Sequence, residues 1–256
     1  MLVDSHCHLD AEEFDADRDA AIARALAVGV IAQIVPAVDA ASWDNLRAVC
    51  AMAPGLYPAY GLHPMYLERH RPAHLIALRE WIERERPVAV GECGLDFFVE
   101  GLDPMRQREY FDGQLRLARE FGLPVIVHAR RAVDDVFAAI RRFAPLRGVV
   151  HSFSGSADQA KRLFDQGFLI GLGGPVTYDR AQRLRGLAAT LPIESLLLET
   201  DAPDQPDSAH RGQRNEPARL PIVRDAIAQL RGMSPDALAQ ATTANAQRLF
   251  GISLAS

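Results

Sequence analysis

Lysine is almost absent from this chain. Lys161 is the single lysine among 28 basic residues, which leaves 27 arginines. Cysteine is scarce as well: Cys7, Cys50 and Cys93 are too few and too scattered for a disulfide framework or a paired-thiolate metal site. No uncharged apolar stretch reaches the roughly 18 residues of a membrane helix. The Met1–His6 start lacks the basic and apolar segments of a signal peptide. The expectation is a soluble, reduced, cytoplasmic protein with no membrane partner. An excess of positive charge is missing too. With 28 basic and 33 acidic residues the net charge is −5, which excludes a globally basic nucleic-acid binder but leaves room for a local patch.

What is present is a 256-residue chain, 48% hydrophobic, of a size that suits one α/β barrel or a two-domain enzyme. Short β-branched apolar runs alternate with segments of helical period. The runs predict strands at Leu2–Leu9, Val30–Val38, Leu56–His63, Val88–Leu95, Pro124–Ala129, Gly148–Phe153, Phe168–Gly173 and Ser195–Thr200. Helices are predicted at Asp17–Val28, Trp43–Met52, Leu75–Glu85, Met105–Phe121, Ala132–Phe143, Ala157–Gln166 and Arg180–Leu191. Two more follow the eighth strand, Ala218–Leu230 and Ser234–Phe250. Eight strand–helix units predict an α/β fold of the (β/α)8 TIM-barrel type with an extra C-terminal helix. No linker or repeat divides the chain, so residues 1–256 are read as one domain. The rival, a doubly wound open sheet, lacks its Gly-rich nucleotide loop after the first strand.

Active groups of a barrel come from the C-terminal ends of its strands. Of eight histidines, five fall there: His6 and His8 on the first strand, His63 on the third, His128 on the fifth and His151 near the end of the sixth. Glu92 ends the fourth strand between glycines, and Asp201 follows the eighth. Residues two apart on a strand share a face, so His6 and His8 can converge on one cation while Cys7 turns away. Glu92 can bridge two ions, with His128 and His151 completing the second. Asp4 and Glu199 lie one layer deeper and suit supporting roles. Nitrogen and oxygen ligands without thiolate fit zinc, manganese, iron or magnesium. Two such ions side by side point to hydrolysis.

The segments Asp4-Ser5-His6-Cys7-His8, Gly61-Leu62-His63-Pro64, Gly91-Glu92-Cys93-Gly94-Leu95-Asp96-Phe97, Pro124–Arg130, His151-Ser152-Phe153-Ser154-Gly155, Leu198–Pro203 and Arg214-Asn215-Glu216-Pro217 together resemble the TatD-type metal-dependent hydrolases of the amidohydrolase superfamily. The likeness spans nearly the whole chain. It implies a TIM barrel, a one- to three-metal site, commonly with magnesium, and deoxyribonuclease activity of the 3′-to-5′ exonuclease or endonuclease kind; two or three divalent ions (magnesium, zinc or manganese) are expected here. Carried onto the matching positions, it implies that His6, His8, Glu92 and Asp201 hold one ion and that Glu92, His128 and His151 hold another. It also implies that Asp201 orients the attacking water and takes its proton, and that His63 and Arg130 meet the scissile phosphate. The expected partner is DNA, single-stranded or offering 3′ ends, and the expected state is a monomer.

Lys161 lies about ten residues past His151, on the polar start of a helix, and cannot supply the carbamylated bridge of related amidohydrolases. Glu92 is left to bridge. Arginine forks suit phosphate oxygens, and Arg130, Arg131, Arg211 and Arg214 follow strands five and eight on the expected catalytic face. Phe97, Phe98, Tyr66 and Phe153 are available for stacking. The competing reading is metal-dependent amide or ester hydrolysis of a small molecule or an acylated nucleic acid. A third is an idle binding scaffold, against which the full ligand set counts.

Overall fold

The computed structural model describes residues 1–254. Eight parallel strands follow one another in sequence order: β1 (Leu2–Asp4), β2 (Val30–Pro36), β3 (Leu56–Tyr60), β4 (Ala89–Asp96), β5 (Val125–Arg130), β6 (Gly148–Val150), β7 (Phe168–Leu172) and β8 (Leu196–Leu198). The seam between β8 and β1 is drawn together by the Ser5 amide, which donates to the Leu198 carbonyl at 2.9 Å. Asp4 reinforces it, accepting from the Thr200 amide at 3.0 Å and the Thr200 hydroxyl at 2.6 Å. The result is a nearly closed (β/α)8 barrel.

Helices α1 (Arg18–Ala27), α2 (Trp43–Cys50), α3 (Pro72–Glu85), α4 (Pro104–Phe121), α5 (Val133–Phe143), α6 (Ala157–Asp165), α7 (Gln182–Thr190) and α8 (Leu220–Arg231) each follow a strand. The expected extra helix is α9 (Pro235–Phe250). Inward-facing Val3, Ile34, Ala59, Ala89, Ile126, Val149, Leu169 and Leu197, one from each strand, form a core that Ala246, Leu249 and Phe250 of α9 cap from below. Asn245 fixes this plug by donating to the Ile193 and Leu196 carbonyls at 2.8 and 2.9 Å. One end of the barrel is therefore sealed by apolar packing, and chemistry is confined to the other.

The ladders are shorter than the apolar runs. Pairing stops at Asp4, Tyr60, Val150 and Leu198, so His6, His8, His63, His151 and Asp201 all lie beyond the paired strands. Only Glu92 and His128 sit on strands. To bring side chains across the mouth the backbone has to leave the sheet. Ser152 and Asp201 do so in the left-handed region, at φ 46° and 57°. On β4 the register with β5 shifts between Val90 and Cys93, an irregularity that contains Gly91 and Glu92 and re-aims the carboxylate. Gly94 (φ +143°) follows, where an added Cβ would meet the His128 carbonyl oxygen at 2.1 Å. Among the described residues no helix is long and apolar enough to cross a membrane.

Candidate metal centre

Glu92, 1% exposed, is the hub. Its Oε1 lies 2.8 Å from His63 Nε2, 3.1 Å from His128 Nδ1 and 2.8 Å from His151 Nε2. Its Oε2 lies 3.1 Å from His6 Nε2 and 3.4 Å from His8 Nε2. The two oxygens thus face two different sets of rings. Asp201 Oδ1 joins the second set, 3.5 Å from His6 Nε2 and 3.8 Å from His8 Nε2. His6 and His151 stack between the sets with ring centroids 3.9 Å apart.

Hydrogen bonds behind the rings decide which nitrogen faces the centre. His8 Nδ1 donates to the Pro36 carbonyl at 3.1 Å, which leaves its Nε2 lone pair for the cluster. His128 Nε2 meets Asp96 Oδ2 at 2.8 Å, which leaves Nδ1. His63 is the opposite case. Its Nδ1 accepts from the Met65 amide at 3.1 Å, so its Nε2 carries the proton and donates to Glu92. Distance alone would count His63 with Glu92 and His128 as a ligand group. The tautomer makes it a hydrogen-bond donor beside the centre instead.

The electrostatics agree with a site built for cations. Burial alone would raise the Glu92 carboxyl, but His151, His63 and His6 and the hydrogen bond with His128 hold it well below the usual range. Burial opposes protonation of His151, yet the charge of Glu92 pushes it up to about 10. His8 is raised to about 9 against burial by its contact with Glu92. Burial and neighbouring His151 hold His6 well below its ordinary value. Burial also raises Asp201, and it lifts Glu199 to about 8. Glu92 Oε2 and the Nδ1 atoms of His6 and His151 are buried without a hydrogen-bond partner. Three groups of donors, drawn from these five histidines, Glu92 and Asp201, lie within 4.8 Å of one another. A hard or borderline divalent cation fits such a set of imidazole nitrogens and carboxylate oxygens.

The cluster floors an open cavity of about 970 Å³. Of the arginines expected here, Arg130 lines it. Arg211 is exposed and lies outside the lining. Arg214 donates to Asp17 at 2.6 and 2.9 Å and to the Glu13 carbonyl at 2.7 Å, so it ties the loop after β8 to the segment before α1. Its fork is held by a carboxylate in this structure rather than turned into the cavity lining. Lys161 is exposed on α6 and pairs with Asp165 at 2.7 Å, far from any bridging role. Asp4 and Glu199 hold the deeper layer, Glu199 accepting from the Ser152 amide at 2.5 Å.

Three supporting residues are not singled out by the sequence. Asp96 stands there only as part of a motif. Gln205 donates to Asp201 Oδ2 and also contacts Ser152 Oγ at 2.7 Å, which fixes the carboxylate from the loop side. Arg69 lines the cavity, paired with Asp39 at 2.9 Å. No local pattern announces Gln205 or Arg69. For Asp96 the signal was its even spacing from Glu92 on a strand.

A (β/α)8 barrel with buried histidines and carboxylates gathered at its open mouth defines a class, the metal-dependent hydrolases. The family model described as TatD related DNase matches residues 3–251. A metal-dependent hydrolase of Escherichia coli K12, YjjV, itself named as uncharacterized, is 43% identical over 98% of both chains. Its crystal structure superposes with a TM-score of 0.94, at 41% identity and 98% coverage of each. A protein of Erwinia billingiae named 3′-5′ ssDNA/RNA exonuclease TatD is 33% identical over 97% of this chain and 98% of its own. The chain belongs to the TatD-related DNase family and is a metal-dependent hydrolase.

Proposed function

We propose that the enzyme hydrolyses phosphodiester bonds of DNA, removing nucleotides from 3′ ends of single strands. The observation that carries this reading is the division of Glu92, with one oxygen toward His6 and His8 and the other toward His128 and His151. In it, His6, His8, Glu92 and Asp201 hold one divalent ion, and Glu92, His128 and His151 hold a second. Cations bound there supply Lewis-acid activation of water and charge neutralisation at the phosphoryl oxygens. Asp201, with Oδ2 steadied by Gln205, orients the attacking water and takes its proton. The Arg130 guanidinium donates toward the scissile phosphate at the mouth, and His63, whose Nε2–H is held by Glu92 in this structure, flanks it. The relative named as a 3′-5′ ssDNA/RNA exonuclease supports the substrate class.

The test is cleavage of 3′-labelled and 5′-labelled single-stranded DNA over a magnesium, manganese and zinc series, before and after EDTA. Stepwise shortening from the 3′ end that EDTA abolishes and metal restores is expected. Glu92→Gln lowers kcat by about 10³-fold or more, since both donor groups lose their shared charge. DNA left intact across the whole series would falsify the nuclease reading. Amide or ester cleavage by that same preparation would put a small-molecule hydrolase in its place. The arginine-bearing, open mouth argues against a pocket made for small apolar esters.

A further inference from the structure

Phe98 stands exposed beside the cavity, 43% accessible, on the turn that follows β4. Two guanidinium groups stack on it. Arg130 Cζ lies 3.7 Å from the ring centroid and Arg131 Cζ 4.7 Å. Arg131 reaches it by taking the left-handed conformation, φ 53°, at the end of β5. Among the described residues neither guanidinium has an ion pair or a hydrogen bond. Other arginines near the mouth are committed: Arg69 to Asp39, Arg183 to the Ser154 carbonyl, Arg214 to Asp17.

The turn under Phe98 is pinned by hydrogen bonds. Asp96 Oδ1 accepts from the Phe98 and Val99 amides at 2.9 and 3.0 Å, and the Phe97 amide donates to the Arg130 carbonyl at 2.9 Å. Two positive charges held side by side on one ring repel each other. Stacking occupies their faces and leaves their N–H edges uncommitted. Across the cavity the lining carries Asp10, Glu12 and Glu13, which repel a polyanion. The charge of the mouth is therefore divided, positive on the β5 side and negative on the β1 side.

We propose that Phe98, Arg130 and Arg131 form a clamp that spans two phosphates, Arg130 on the scissile one and Arg131 on the backbone phosphate next to it, so that the site takes a nucleic-acid strand in preference to an isolated diester. Phe98 is a positioning residue: it holds both forks in place and so reduces the conformational freedom lost on binding. This inference rests on the phosphodiesterase reading above.

The experiment uses the metal-loaded enzyme and two short single-stranded oligonucleotides. They are identical except that the penultimate linkage of one is a neutral methylphosphonate. In the wild type the neutral linkage is expected to raise KM about tenfold with little change in kcat, as loss of charge-assisted hydrogen bonds predicts. In Arg131→Gln that penalty shrinks, and the slope of log KM against log salt falls by about 0.7, as for one lost contact on a single strand. Phe98→Ala and Phe98→Leu raise KM about threefold, and Phe98→Tyr restores it, because only a ring provides the stacking face. Arg86→Gln, an unpaired arginine after α3, leaves the slope unchanged. If the wild type cleaves both oligonucleotides with equal KM, the clamp is overturned while the nuclease reading stands. If it cleaves neither these nor a single-linkage dinucleotide, the nuclease reading falls and the clamp falls with it.

Discussion

Asp96 Oδ2 lies 2.8 Å from His128 Nε2, while Oδ1 of the same carboxylate holds the turn that begins at Phe97. One side chain thus orients a ring of the metal centre and anchors the wall of the cavity. Asp96 is held below its ordinary range, at about 2, because the His128 contact and the two amides outweigh its burial. Asp96→Ala should therefore weaken metal binding and activity together, by about 10- to 100-fold, as loss of a supporting carboxylate does. Asp96→Asn keeps an acceptor for the turn and should recover the wall but not the metal affinity. Titration with a metal indicator, set beside kcat/KM, checks the separation.

The tautomers of His63 and His128 make opposite predictions. On the two-ion reading proposed above, His128→Asn should lower bound metal by about one ion per chain, since with Nε2 turned to Asp96 it is Nδ1 that faces Glu92. His63→Asn should keep the metal and lower kcat, because His63 Nε2 already carries a proton. Metal content by plasma emission after dialysis distinguishes them. Equal loss of metal in both variants would show that the hydrogen bonds do not sort the rings.

Gly94→Ala should be among the most damaging single changes outside the ligands. The new methyl group meets the His128 carbonyl oxygen in a backbone conformation that side chains rarely adopt. A cost of about 3 kcal/mol is expected from the overpacking, together with a displaced His128. Urea denaturation and metal content of the same sample would show both.

Thiol chemistry gives a test remote from the centre. Cys7 and Cys93 are buried, and Cys50 is half-buried. Burial pushes the Cys50 thiol up to about 12, with Asp10 adding to the shift. The thiolate is the reactive form, so alkylation of Cys50 in the folded protein should be slow at pH 8. It should still rise about tenfold per pH unit at pH 9.5, where an ordinary thiol near 8.5 has levelled off. A rate that levels near pH 9 would contradict the buried environment.

Much of this site could be read along the chain because barrel geometry converts strand ends into neighbours. His6, His8, Glu92, His128, His151 and Asp201 are far apart in sequence, yet each was marked by its place at the end of an apolar run. Period two also separated Glu199 and Asp4, in the deeper layer, from the residues at the mouth. The ends of the ladders were not legible in the same way. The predicted strands run on to Leu9 and His63, whereas the ladders end at Asp4 and Tyr60. The pairing of Arg214 is illegible in the sequence for a related reason. Its partner Asp17 lies 197 residues away, and nothing local shows that the fork is filled. The roles of His63 and Gln205 depend on which hydrogen bond a ring or an amide makes, and a string of residue types does not record that.

Helix α4 has a part in this that its position outside the barrel conceals. Gln107 donates to the Asp96 carbonyl at 2.9 Å and accepts from the Asp96 amide at 2.7 Å. Two turns further on, Gln114 does the same for Leu62, at 3.1 and 2.7 Å. Each side-chain amide imitates the peptide group of a missing neighbouring strand, just where the ladders of β3 and β4 run out. The residues that lead into His63 and follow Glu92 are thereby held in register from outside the sheet. A helix that touches neither metal nor substrate thus acts as a ruler for the mouth. Residues exchanged on its inner face would have to preserve the seven-residue interval between those two amides.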